Sequence, residues 1–190
     1  MEDEKREKIA PPGETVSSPV VRIASEDDLP QIRAILETWI RDQSSGEVIQ
    51  TEVDEVIGKI RSGIDSPEAA TNIVAEDEKG HVVGVMGLYP VSMGMLQFVE
   101  TESPREINNA YVASNSRGLG IGGMLVAKLE SVSRQQGITE LIINSGPRYK
   151  KTGWDFWRSV YGSPIAQAED YYGPGLDALV WRKNLGKGTG

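Results

Sequence analysis

Residues 116–123 read Ser-Arg-Gly-Leu-Gly-Ile-Gly-Gly, and this octapeptide decides how the rest of the chain is read. An extended stretch, Glu106-Ile-Asn-Asn-Ala-Tyr-Val112, leads into it, and an amphipathic stretch over 119–136 leaves it. A glycine-rich turn between a strand and a helix suits an anionic phosphate. Glycine lets the backbone approach a ligand closely and adopts dihedrals that other residues avoid. The start of the helix offers unpaired N–H groups and about half an elementary positive charge. Arg117 adds a guanidinium donor.

Working outward, the strand ahead of the turn spans 105–113. The helix behind it carries Ile121, Leu125, Leu129 and Val132 on one face and stops at Gly137. Upstream, residues 20–23 read as a short apolar strand. Ser25, with Asp28 in the capping-box position and Pro30 in the first turn, opens a helix. Leu29, Ile32, Ile35, Leu36, Trp39 and Ile40 recur along it at helical spacing. A second helix covers about 51–61. Residues 73–76 and 82–89 form a hairpin around Asp77-Glu-Lys-Gly80. The stretch 95–99 extends the sheet before a loop. Downstream come a strand over 140–144, a polar loop over 145–152, a short helix over 154–161, and strands over 165–171 and 178–183 around Gly173-Pro-Gly175. The order β-α-α-β-β-β-α-β-α-β-β predicts an α/β protein of the α+β kind, a mixed sheet with flanking helices.

The 190 residues suffice for one domain with a core. The expected division is an N-terminal arm over 1–18, disordered because of its mixed charge and prolines. A domain over 19–185 and a loose tail over 186–190 follow. No apolar run approaches the roughly 20 residues of a membrane span, and the charged N-terminus is not a secretory signal. The absence of cysteine excludes disulfides, thiolate metal sites and a cysteine nucleophile, and fits a cytoplasmic protein. A formal net charge of −8 argues against general nucleic-acid binding.

Three ligands compete for the turn. Gly118-x-Gly120-x-x-Gly123 matches a dinucleotide fingerprint, but the next strand ends Ile143-Asn144-Ser145 with no acid for the ribose. The turn is also read as following an antiparallel hairpin, whereas that fingerprint belongs to a parallel unit. A P-loop would need Lys and a hydroxyl where Gly122-Gly123-Met124 stands. The third fits. Arg117-x-x-Gly120-x-Gly122, with Val112 five residues ahead, resembles the acetyl-CoA pyrophosphate loop of the GNAT superfamily of N-acetyltransferases. The element order from about Val20 to Lys183 is similar to that family's fold.

The resemblance implies a GNAT-like fold with a mostly antiparallel sheet in which the strands before and after the glycine helix splay apart around acetyl-CoA. It implies that the amides of Gly118, Leu119, Gly120, Ile121, Gly122 and Gly123, with Arg117, hold the pyrophosphate. Val112, Ala113 and Ser114 would pair with the pantetheine arm like an added strand, and the Val112 N–H would donate to the thioester carbonyl. Asn144 joins these as a cofactor contact. No metal is implied.

Acyl transfer to an amine needs a base for the amine proton and a donor for the thioester oxygen. Glu106 resembles the base glutamate of the histone-acetyltransferase branch. Its even separation from Val112 puts both on one face of an unbroken strand. Glu76 is a weaker carboxylate, and His81 reads as a solvated turn residue. The family's thiolate-protonating tyrosine has no direct counterpart, because Trp157 stands near its position. Tyr161 is taken for the role, with Tyr149 next. Arg148, Lys150 and Lys151 form a basic loop near the cofactor's exit.

The predicted acceptor is a primary amine of a small molecule or peptide. The pocket segments 43–63 and 167–176 carry Glu47, Glu52, Asp54, Glu55, Glu169 and Asp170, which fits a cation such as a polyamine, aminoglycoside or lysine. The alternative is a non-catalytic acyl-CoA-binding module. No nucleic-acid or membrane partner is expected. The oligomeric state stays open, a homodimer included.

Overall fold

The structure is a computed structural model that describes residues 19–186. The expected arm over 1–18 and most of the expected tail lie outside the described residues. Seven strands form one sheet: β1 (Val20–Ile23), β2 (Thr71–Glu76), β3 (Val82–Tyr89), β4 (Pro104–Val112), β5 (Glu140–Ser145), β6 (Ala166–Ala168) and β7 (Ala178–Asn184). Four helices join them: α1 (Leu29–Trp39), α2 (Gln50–Asp65), α3 (Ile121–Gln135) and α4 (Gly153–Tyr161). The strand order is β1-β2-β3-β4-β5-β7-β6, and all neighbours are antiparallel except β4 and β5.

Strand alternation separates two layers. Val74 and Val85 pack against α1 and α2, while Ile73 and Met86 join the core beneath α3 and α4. The capping box forms at the start of the first helical turn, where Asp28 accepts from the Ser25 N–H at 2.7 Å. Asp28 also takes a two-pronged contact from Arg22 at 2.7 Å, and Arg22 reaches Glu76 as well, so β1, the first turn and β2 are tied together.

Four expectations need correction. Residues 93–98 form a 3-10 turn rather than the strand expected over 95–99: the Met95 and Val99 N–H groups donate back to the Ser92 and Leu96 carbonyls at 2.9 and 3.2 Å instead of to a strand neighbour. The strand expected over 165–171 shortens to β6, since Asp170 turns left-handed at φ 51° and accepts the Gly175 N–H. The unit β4-α3-β5 is itself a parallel crossover. Strand sense therefore gives no argument against a dinucleotide, and the missing acid after β5 carries that exclusion alone.

The fourth concerns β4, which is not unbroken. Its register against β3 runs Gly87↔Asn108 and then Val85↔Tyr111, leaving Asn109 and Ala110 opposite Met86. Asn109 has φ 55°, and this bulge inserts one residue. Glu106 and Val112 consequently face opposite sides. Ile107 and Val112 belong to the α3–α4 layer, while Glu106 and Tyr111 face the α1–α2 layer.

Candidate active site

β4 and β5 pair only over 104–107 and 140–143, and then part. Val112 looks into the resulting gap. The Ala113 N–H donates to the Val83 carbonyl at 2.8 Å. In an antiparallel ladder the preceding residue turns its own N–H and C=O the other way, toward the missing β5 neighbour. The Val112 carbonyl accepts the Trp39 indole N–H at 2.8 Å; its N–H faces the gap.

Beside the gap, α3 begins at Gly120 with no side-chain cap. Gly118 and Gly120 hold φ 76° and 80°, which allows the chain to reverse into the helix. The first helical bond is Met124 N–H to the Gly120 carbonyl at 3.1 Å. The N–H groups of Ile121, Gly122 and Gly123 therefore have no intrahelical acceptor. Helix α4 comes so close that a Cβ on Gly122 would lie 2.8 Å from the Phe156 ring. Between them lies a cavity of about 410 Å³.

Of the residues predicted to hold the cofactor, Val112, Arg117, Gly118, Gly120, Ile121, Gly122 and Gly123 line this cavity. Ala113, Ser114, Leu119 and Asn144 do not. Ala113 spends its N–H on β3, a 3-10 turn starts at Ser114, and Leu119 is 69% exposed. The Asn144 amide donates to Glu106 at 2.7 Å and accepts the Tyr172 hydroxyl. Arg117 sits over Trp39, its guanidinium carbon 3.8 Å from the ring centroid, and forms no ion pair with any described residue.

Glu106 is 1% exposed. One oxygen accepts from Asn144, and the other accepts the Ser92 backbone N–H at 2.7 Å. Lys59 of α2 sits over the Tyr89 ring at 4.5 Å. Its pKa is lowered by burial, against the opposing charge of Glu106. Tyr161 is displaced from the expected role: its hydroxyl donates to Glu130 of α3 at 3.1 Å, it stacks on Trp157, and it lines neither cavity of the gap. A helical turn separates it from Trp157, whose ring forms part of both cavity walls. His81 stays in the β2–β3 turn beside Asp77.

Two further cavities continue from the gap. One of about 140 Å³ is lined by Asn144, Tyr149 and Tyr172, and one of about 580 Å³ opens between the α1–α2 loop and residues 146–149. Two of the acids expected there are paired with arginines. Glu52 pairs with Arg148 at 2.5 Å, Asp54 with Arg33 at 2.7 Å, and Asp42 accepts the Ser44 and Ser45 N–H groups. Arg148 thus points across the groove to α2. Sequence reasoning left Trp39, Tyr111, Ser92 and Tyr172 without a role in the site. They sit in helix, strand and loop stretches whose apolar pattern looks the same whether or not they border a cavity. Among the described residues no helix is long and apolar enough to cross a membrane.

The site is thus a mixed sheet opened at its one parallel pair, with an uncapped helix start in the opening. The family described as Acetyltransferase (GNAT) family matches residues 32–154, and the chain belongs to it. Solved structures agree in fold. The N-acetyltransferase from Staphylococcus aureus Mu50 is 18% identical, with a TM-score of 0.65 over 89% of this chain and 99% of that one. The ribosomal-protein-alanine N-acetyltransferase from Brucella melitensis is 26% identical, with a TM-score of 0.61 over 87% and 99%. A Salmonella typhimurium protein assigned as an acetyltransferase, solved with its cofactor acetyl-CoA, is 18% identical, with a TM-score of 0.66 over 92% and 98%. No curated protein matches the chain by sequence.

Proposed function

We propose that this chain transfers an acetyl group from acetyl-CoA to a primary amine of a small molecule or peptide by direct attack of the amine on the thioester. One observation carries the reading. The gap-facing N–H of Val112 and the unpaired N–H groups of Ile121, Gly122 and Gly123 border the same cavity of about 410 Å³. That set of donors on one cavity suits a diphosphate at the helix start and a polarised carbonyl at Val112. The Salmonella typhimurium relative with bound acetyl-CoA supports it.

In this reading the helix start and Arg117 hold the pyrophosphate, and the Val112 N–H donates to the thioester oxygen as it gains charge. The amine nitrogen bonds to the carbonyl carbon, the C–S bond breaks, and coenzyme A leaves as thiolate. Glu106 takes the ammonium proton through one water, because its carboxylate sits behind Asn144 and Tyr172. Tyr149 replaces Tyr161 as the proton source for the thiolate. Its hydroxyl meets that of Tyr111 at 3.3 Å, and it borders both continuing cavities. The larger cavity sets Asp42 and Glu52 against Arg41 and Arg148, a balance that favours an acceptor carrying one amine on a polar, partly apolar body over a multiply charged polyamine.

Glu106's position outside the cavity wall favours a second reading, the non-catalytic acyl-CoA-binding module. Titration calorimetry with coenzyme A, followed by a free-thiol assay over a panel of amines, tests both. Binding with turnover supports the enzyme, binding without turnover on any amine supports the module, and no binding ends both.

A further inference from the structure

The acyl end of the cofactor cavity is bordered by Trp39 at the C-terminal end of α1, with Tyr111 and Trp157 beside it. The Trp39 ring lines the cofactor cavity and the smaller cavity behind it. Four contacts fix it. The indole N–H donates to the Val112 carbonyl at 2.8 Å. The Arg117 guanidinium covers one face at 3.8 Å. Tyr111 and Tyr149 meet it edge-on, with centroids 6.1 and 6.0 Å away, and meet each other at 6.2 Å. Three aromatic rings at these separations pack edge-to-face against one another.

We infer that Trp39 sets the acyl-chain limit of the donor: the site takes the two-carbon acetyl group and excludes longer acyl thioesters, because the indole fills the space a third and later carbon would enter. The inference rests on the cofactor reading above. A thioester oxygen bonded to the Val112 N–H puts the acyl carbons beside the residue whose carbonyl holds the indole. A short acyl group stops at the ring. A longer one must displace a side chain held by a hydrogen bond, a cation–π contact and two aromatic edges. Removing the indole opens its share of the wall that Trp39, Tyr111 and Trp157 form between the cofactor cavity and the one of about 140 Å³ behind it, whose walls include Ile107, Ala110 and Ile143. These walls mix apolar side chains with Asn108, Asn144 and Ser145, so an added methylene gains up to about fourfold in affinity where it meets the apolar part.

The test is titration calorimetry of the full chain with coenzyme A, acetyl-CoA, butyryl-CoA and hexanoyl-CoA, which needs no acceptor amine. Wild type should bind hexanoyl-CoA at least tenfold more weakly than acetyl-CoA. Trp39→Ala should bind hexanoyl-CoA at least as tightly as acetyl-CoA. Trp39→Phe keeps most of the bulk but loses the N–H, and should keep the short-chain preference, which separates the ring's volume from its hydrogen bond. Trp39→Leu keeps the helix packing and should relax the preference should Trp39→Ala fail to fold. Equal affinity of wild type for all three thioesters overturns the inference. So does an unchanged preference in every folded variant that lacks the aromatic ring. If wild type binds no coenzyme A at all, the cofactor reading itself fails, and that outcome is distinct from either of these.

Discussion

At the scale of single residues, the site depends on which polar atoms are already engaged. Glu106 is held at both oxygens, so its substitution is a clean probe. In Glu106→Gln the new amide oxygen keeps the Ser92 N–H. The new NH₂ group meets Asn144 after that amide turns over, and the Tyr172 hydroxyl then accepts. The fold should lose only about 1 kcal/mol. Turnover near pH 7 should fall by roughly 10²–10⁴ with coenzyme A affinity unchanged, read by thiol release and calorimetry; an unaltered kcat removes Glu106 from the chemistry. Tyr149→Phe should lower kcat about tenfold or more. Tyr161→Phe should leave kcat alone and cost only stability, since it frees a Glu130 oxygen of α3 and neither residue lines a cavity of the gap. A larger loss from Tyr161→Phe than from Tyr149→Phe would reverse that assignment. The sequence pointed to the glycines and Arg117 because their composition is unusual. It gave no sign that Arg117 lies on Trp39, since a contact between α1 and the glycine turn spans 78 positions.

At the scale of elements, the approach of α3 to α4 shapes the cradle. Gly122→Ala puts a methyl 2.8 Å from Phe156. Phe156 must then move into the cavity it lines or tilt α4. Overpacking of this kind costs about 1–3 kcal/mol, or about 2–4 °C of Tm per kcal/mol at this size. Coenzyme A affinity should drop at least tenfold. Gly123→Ala is the control, because its Cβ meets nothing within 4 Å; it should hold or raise Tm through better helix propensity. A Gly122→Ala protein that binds normally would mean the two helices can separate freely. Helices and strands with a strong period were readable from the chain. The Asn109 bulge was not, because Asn-Asn-Ala-Tyr alternates no differently with or without an inserted residue. That one residue turned the Glu106–Val112 parity argument around.

At the scale of the whole molecule, the order of elements was legible because each amphipathic stretch must cover one face of the sheet. The parallel sense of β4 and β5 was less so, since it is fixed by α3 crossing over the sheet and not by either strand's pattern. The same burial that builds the two layers sets the pH limits of the fold. Burial pushes the Tyr89 hydroxyl up to about 12, partly offset by Asn109 and Asn72. Burial likewise raises Tyr111, Tyr161 and Tyr172. The unfolded chain releases these protons near pH 10 while the folded chain keeps them. Stability is therefore full below pH 10 and is lost as pH rises toward 12, with Tyr89 alone contributing on the order of 2–3 kcal/mol. On the acid side, burial would raise the Asp28 carboxyl, but Arg22 and the Ser25 N–H outweigh it and hold it below 3.8. Its stabilisation is present above pH 4 and is lost as pH falls through that lowered value. Denaturant melts across the pH range should give a plateau from about 5 to 9 with a fall on both sides. Tyr89→Phe should make the alkaline fall shallower, and Asp28→Asn should flatten the acid one while lowering the plateau. An alkaline slope identical in wild type and Tyr89→Phe would mean that this hydroxyl is open to water in the folded protein.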